Sequence, residues 1–490
     1  MLDHAAITLP ERRLLIDGVW RDAQGGEAFS STDPSTGDVI TQIAEARAAD
    51  IDAAVLSARR ALDEGPWSRM TGAQRGRLLR RLADLLEQDR ENLVLLEALD
   101  AGKPLAATRR QDLPAAIDCL EYYAGWADKI AGEVVPARTD ALTYVTRQPV
   151  GVVAAIVPWN FPLMNAVWKI APALACGCTV VLKPAELTPL SALRLGELAL
   201  AAGLPPGVLN IVPGFGKVAG QALIEHPGVD KISFTGSPQV GKHIMATAAE
   251  HCKRVTLELG GKSPNIIFED ADLDAAAHAS GSGIFFNAGQ VCSAGSRILV
   301  QERKHDELVQ RLVDRARQLK LGSPFEPNTT MGPLISATQQ ERVVRHIERG
   351  REEGAHVASG GHVHGEHGFF VQPTVLASAT NDMSIAQEEI FGPVATVISF
   401  KDDIEAIRIA NASRYSLAAG LWTRDVTRAH RVAQQLRAGT VWINTFGPTD
   451  TRLPWGGFGG DSGVGRDLGR SALDNYTEQK AVWLHLGKTA

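Results

Sequence analysis

Between residues 152 and 261 the chain repeats one pattern five times, and that pattern limits the folds open to it. Each repeat is a short apolar run ending on a turn rich in Gly, Pro or Ser, with helical texture before the next run. The runs are Val152–Val157, Thr179–Pro184, Val208–Val212, Lys231–Ser237 and Val255–Gly261. Their apolar residues are consecutive rather than alternating, so both faces of each strand are buried. Strands of this kind spaced by helices predict a parallel sheet with helices on both faces, an α/β class. Ligands of such a sheet sit beyond the carboxyl ends of its strands, where these turns lie.

The remainder of the chain surrounds that unit. Its 490 residues leave room for at least one further core. Residues 14–42 alternate like short edge hairpins. Helices are expected at 48–64, 71–99 and 112–130, the second opening on a Thr71–Gln74 capping box. In the region 262–460, helices are expected at 271–284, 303–319, 337–354, 402–411 and 425–437. Strands are expected there near 297–301, 392–400, 417–422 and 439–443. The stretch 475–484 reads as a strand that leaves its own domain.

With 44% apolar and 22% charged residues the chain has the composition of a soluble globular protein. A net charge of −6 without a Lys/Arg block excludes a general nucleic-acid binder. The apolar runs at 152–157 and 171–182 are too short and too interrupted to span a bilayer. Met1–His4 has neither a basic nor a long apolar region, so a cytoplasmic chain without a secretory signal is expected. Five cysteines, an odd and sparse set, suit free thiols in a reducing compartment. Cys176 and Cys178 lie in an apolar segment and read as core thiols. The tract His362–His367 reads as a solvated loop with metal ligation as its alternative; no metal is expected.

Several residues carry chemistry. Cys292 lies in Phe285–Gly295, a run of small and polar residues, and is either a packing thiol or a nucleophile. Glu258 lies between Leu257 and Leu259, where burial raises a carboxyl pKa toward that of a general base. Its alternative is an ion pair with Lys262 or Arg254. Asn160, framed by Pro158 and Pro162, can aim its amide at an oxyanion or satisfy a turn. The turns Gly214–Gly220 and Gly236–Gly241 each open a helix. Ser237 and free N–H groups there can hold a phosphate, and two such turns on one sheet point to a dinucleotide. Glu186, beyond another strand, can accept from ribose hydroxyls and would repel a 2′-phosphate, which Lys183 can offset. The bland reading of these two is a surface ion pair. Of Glu388 and Glu389, one is expected to take a hydrogen-bonding role.

Together these residues resemble the aldehyde dehydrogenase superfamily. The resemblance runs from about residue 14 to 484 and rests on Pro158–Pro162, Lys183–Glu186, Phe234–Ser237, Leu257–Lys262, Gly289–Cys292 and Glu389–Pro393. It implies a Rossmann-like parallel-sheet cofactor domain (1–129 and 149–259) and a second α/β catalytic domain (260–460). It also implies a small β oligomerisation extension with a C-terminal tail (130–148 and 461–490), and a homodimer or homotetramer. Cys292 would be the nucleophile and Glu258 the base, with Asn160 in the oxyanion hole and Lys169 relaying protons with Asp467. NAD, favoured over NADP, would contact Ile156, Trp159, Lys183, Glu186, Gly216, Phe234, Gly236, Ser237, Glu389 and Phe391. A small-molecule aldehyde would enter past Phe161, Asn165, Trp168, Phe286, Thr449 and Trp455. That aromatic tunnel suits an aromatic or medium aliphatic aldehyde. With Asp112 as the acid near its mouth and Pro114 and Ala115 beside it, neutral substrates are favoured. The alternatives are an aminoaldehyde or betaine aldehyde dehydrogenase, and a non-catalytic scaffold on the same fold.

Overall fold

The computed structural model describes residues 7–487. The five apolar runs form the middle of an eight-stranded sheet. Its order is Gly463–Val464, Arg254–Glu258, Lys231–Thr235, Val152–Ile156, Thr179–Lys183, Leu209–Ile211, Leu14–Ile16 and Val19–Arg21. The five central strands run parallel, and the flanking short strands are antiparallel. Ile156 pairs with Lys183 and with Phe234, and Thr235 pairs with Glu258. The carboxyl ends of four neighbouring strands therefore finish level and present their turns on one edge.

The helix Pro162–Cys176 follows the first of these strands and is buried along its whole length. Pro162 opens it, where a missing N–H is harmless, and Gly177 (φ +93°) closes it in the left-handed region. A polar residue on this helix must find a buried partner, as Asn165 and Lys169 do below.

A second, seven-stranded sheet has the order His356–Ser359, Thr374–Ala379, Val394–Phe400, Arg297–Gln301, Pro264–Ile267, Ala418–Trp422 and Thr440–Ile443. All its pairs are parallel except the first. Three of these strands, Pro264–Ile267, His356–Ser359 and Thr374–Ala379, go beyond the strands expected from the sequence. The C-terminal strand Thr477–His485 leaves the main sheets as expected. It pairs along its full length with Ala141–Pro149, from Thr477↔Pro149 to His485↔Ala141, and Glu133–Val134 adds a third strand.

The expected helix 71–99 is two helices, Gly72–Gln88 and Arg90–Ala101. Asp89 separates them. Arg194 donates to both its carboxylate oxygens, at 2.6 and 2.7 Å, and anchors the break. The Thr71–Gln74 capping box forms as expected. All five cysteines are free thiols. Among the described residues, no helix is long and apolar enough to cross a membrane.

Candidate active site

Turns of both large sheets and the wall of the helix Leu113–Trp126 line one cavity of about 1050 Å³. It contains Cys292, Glu258 and Asn160, the cofactor candidates Trp159, Gly236, Ser237, Glu389 and Phe391, and all six tunnel candidates. Residues about 130 apart in sequence thus share one space.

Cys292 follows a tight left-handed turn. Asn287, Ala288 and Gly289 have φ of +49°, +51° and +72°. Gly289 is required there for a second reason: a Cβ would lie 2.0 Å from the Gly392 carbonyl oxygen. The turn is strapped to the Asn160 loop from both sides. Asn287 Nδ2 donates to the Asn160 carbonyl at 3.0 Å, and Asn160 Nδ2 donates to the Gln290 carbonyl at 2.9 Å. Gln290 Oε1 accepts from Ile335 N at 2.9 Å, which ties the turn to a third segment. Nucleophile candidate and amide donor are therefore held as one unit.

Glu258 ends its strand in this cavity, and neither carboxylate oxygen has a hydrogen-bond partner. The alternative ion pairs do not form. Arg254 pairs with Glu478, and Lys262 Nζ has no partner. Burial first, and the nearby Asp467 second, hold the Glu258 carboxyl well above the usual carboxylate range. Gly456 leaves it space, since a Cβ there would come within 2.6 Å of Glu258 Oε1. Behind it, Lys169 Nζ pairs with Asp467 Oδ2 at 3.0 Å, both fully buried.

Burial, then the charges of Glu389 and Glu258, push the Cys292 thiol up to about 12. The resting group is a neutral thiol. Glu389 is likewise raised by burial, to about 7; its Oε1 accepts from Gly261 N at 3.0 Å. Glu388 turns away to Arg349 at 3.1 Å, so only one of the two acids faces the cavity. The glycine pair explains the close packing. A Cβ on Gly261 would lie 2.1 Å from the Cys292 carbonyl oxygen, and one on Gly260 would lie 2.4 Å from Glu389 Oε2.

On the cofactor side, Ser237 caps the helix Pro238–Glu250, its hydroxyl accepting from Val240 N at 3.4 Å. The rings of Trp159 and Phe391 meet edge to face at 5.3 Å. On the tunnel side, Phe161 stacks with Phe286 at 6.3 Å and Trp168 meets Trp455 at 6.1 Å. Asn165 Nδ2 donates to the Phe161 carbonyl at 3.1 Å.

Other candidates lie outside the lining. Ile156 and Phe234 are core residues at strand ends. Gly216 begins a π-turn, Gly216–Gly220, on the exposed side. Lys183 is buried rather than on the surface, donating to the Pro184 carbonyl at 2.9 Å and standing 3.4 Å from Glu186. Asp112 is corrected outright. It is not at the mouth but buried in an ion pair with Lys103. The π-turn Thr108–Asp112 shifts the register there, so Arg110, Gln111 and Asp118 line the cavity instead. Sequence reasoning also missed Gln339 and Arg342. Both line the cavity and donate to the backbone of the Glu389 loop, Gln339 to Phe391 O at 2.8 Å and Arg342 to Glu389 O at 2.7 Å. Nothing local in the helix Ala337–Glu352 announces that role.

The family model described as "Aldehyde dehydrogenase family" matches residues 20–482. The chain belongs to the aldehyde dehydrogenase family. An aldehyde dehydrogenase of Aspergillus niger is 50% identical over 475 residues, covering 97% of this chain and 95% of that one. Retinal dehydrogenase 2 of Gallus gallus is 48% identical over 482 residues, covering 98% and 93%. The solved NAD+ complex of aldehyde dehydrogenase from Bacillus cereus superposes with a TM-score of 0.96 at 51% identity, covering 97% of both chains. The resemblance read from the motifs is thereby borne out, as is the α/β fold with its Rossmann-like parallel sheet. This aldehyde dehydrogenase family member is an enzyme.

Proposed function

We propose that the enzyme oxidises a neutral aromatic or medium aliphatic aldehyde to its carboxylic acid with NAD, through a covalent intermediate on Cys292. One observation carries this reading. A buried, unpartnered Glu258, the Cys292 thiol and the strapped Asn160 amide share one cavity with a helix N-terminus.

The chain's groups fit NAD. The first turn of Pro238–Glu250, capped by Ser237, offers N–H groups to a pyrophosphate. Lys183 and Glu186 lie at the next strand ends for the adenine-side ribose, and Glu389 and Phe391 flank the nicotinamide end. Bound NAD supplies the hydride acceptor. Cys292 gives up its thiol proton to solvent in the open cavity, and the thiolate attacks the carbonyl carbon to give an anionic thiohemiacetal. Its oxyanion is met by Asn160 Nδ2 and the Cys292 N–H. Loss of hydride leaves a thioester on Cys292. Glu258 then takes a proton from water, which attacks the thioester and releases the acid and the thiol. Lys169 and Asp467 stand behind Glu258 to pass that proton on. A relative that hands its thioester to CoA needs no such base, so the retained Glu258 supports hydrolysis.

The mouth supports a neutral substrate. Asp118 and Asp450 are offset by Arg110 and Arg452, and Asp450 is already paired with Arg452 at 2.5 Å. The rival is an aminoaldehyde held over the Trp168 and Trp455 rings. Assay with phenylacetaldehyde, hexanal, betaine aldehyde and 3-aminopropanal, each with NAD and NADP, separates them. The expected order puts the first two above the last two, and NAD above NADP. No NADH from any of them would end the proposal.

Two further outcomes follow from the site. Asn160→Ala lowers kcat about 10²- to 10³-fold, with a smaller change in KM, because the amide matters most once the oxyanion forms. The rate of thioester hydrolysis rises with pH, because the raised Glu258 carboxyl is protonated, and useless as a base, below its pKa. The acid limb therefore inflects well above the ~4.3 of a free glutamate. A limb near that ordinary value would contradict the buried state of Glu258.

The proposed assembly is a homodimer or homotetramer. The exposed Trp483, Leu484 and Val134 on the three-stranded sheet are the surface offered for it. The five free thiols support a cytoplasmic location.

A further inference from the structure

The corner between the helices Arg90–Ala101 and Leu113–Trp126 holds three buried ionisable groups to which the proposed chemistry gives no role: Glu97, Lys103 and Asp112. The Lys103 ammonium is fully buried. It pairs with Asp112 and lies 3.9 Å from the centroid of the Phe161 ring. Phe161 in turn stacks with Phe286 at 24° between ring planes, and both rings line the cavity beside Cys292. Lys103 does not line that cavity, so it meets the ring from the protein side. Glu97 holds the backbone just beyond. Its Oε1 accepts from Leu163 N at 3.0 Å and from Ser191 Oγ at 2.5 Å.

A buried ammonium is a poor way to fill space, since it must be desolvated and then compensated. A methionine would occupy the same volume without either demand. What the ammonium adds is direction. It is drawn to the negative face of an aromatic ring and repelled by the positive edge. A ring over such a group keeps its plane, where an apolar neighbour would let it tilt.

We propose that Lys103, anchored by Asp112, is a positioning residue that fixes the plane of the Phe161 ring and thereby favours flat aromatic aldehydes over straight-chain ones. The inference rests on the aldehyde-oxidation reading above.

The test is the double variant Lys103→Met/Asp112→Asn, which removes the ammonium together with the carboxylate paired to it. The expected result is a KM for phenylacetaldehyde raised about 10-fold with kcat little changed, and a KM for hexanal moved by less than about 2-fold. In a Phe161→Leu background the same double change leaves the ratio of the two aldehydes where Phe161→Leu put it, because no ring remains to orient. Should the double variant not fold, Asp112→Asn alone frees the ammonium from its anchor and must move the ratio in the same direction. An equal fall for both aldehydes, or an unmoved ratio, assigns the cluster to structure alone and overturns the inference. Wild-type protein inactive on every aldehyde with NAD would remove the activity reading and this inference with it. Active wild-type protein with an unmoved ratio removes only the inference.

Discussion

Cys292→Ala loses aldehyde oxidation by at least about 10⁴-fold while the fold persists. Every covalent step of the proposed route passes through this sulfur, and no second thiol can replace it. Cys119, Cys176 and Cys178 are buried, and Cys252 is exposed on a turn away from the cavity. The fold should tolerate the change because alanine occupies a subset of the cysteine's volume and Sγ borders open cavity, so a stability loss of about 1 kcal/mol or less is expected. NADH formation and thermal melting, measured on wild type, Cys292→Ala and Cys252→Ser, decide it. Cys252→Ser should match wild type in both. If wild type and Cys292→Ala were equally inactive, the non-catalytic scaffold would be the better description.

Glu258→Gln gives the second large effect, and of a different kind. The amide keeps the shape of the side chain and cannot take a proton. Steady-state turnover should fall about 10²- to 10⁴-fold. The first half-reaction should survive, because removing the Glu258 charge removes one of the groups that raise the Cys292 pKa. The variant is therefore expected to release NADH in a rapid burst and then stall, with the burst amplitude close to the number of active sites. Rapid mixing followed by NADH absorbance reads both phases. A linear, slow trace with no burst would place Glu258 in the first step instead.

A place in the cavity was legible in the sequence where a residue's neighbours carry a local signal. Glu258 between two leucines, Asn160 between two prolines and Ser237 at a strand-to-helix turn each carry a local signal, and each lines the cavity. The parallel sheet was equally legible, because a strand buried on both faces has no polar alternation to hide it. Short strands were less so. Pro264–Ile267 opens on proline, and Thr374–Ala379 contains Ser378 at φ +55°, so neither shows a clean run. Asp89 split an expected helix through Arg194, over a hundred residues away. Asp112 failed for a related reason. A π-turn shifts the helix by one residue, and spacing alone cannot see which side of the helix the carboxylate then faces. Gln339 and Arg342 serve the site through contacts to a distant backbone loop, which no periodicity encodes.

On the proposed route the aldehyde carbon becomes a thioester on Cys292 that awaits water activated by Glu258. Intact-mass and peptide mapping of Glu258→Gln, quenched after mixing with NAD and phenylacetaldehyde, test it directly. The expected result is one added acyl group per chain, carried on the peptide that contains Cys292 and absent when NAD is omitted. An unmodified Cys292 peptide alongside NADH formation, or an acyl group on another residue, would contradict it.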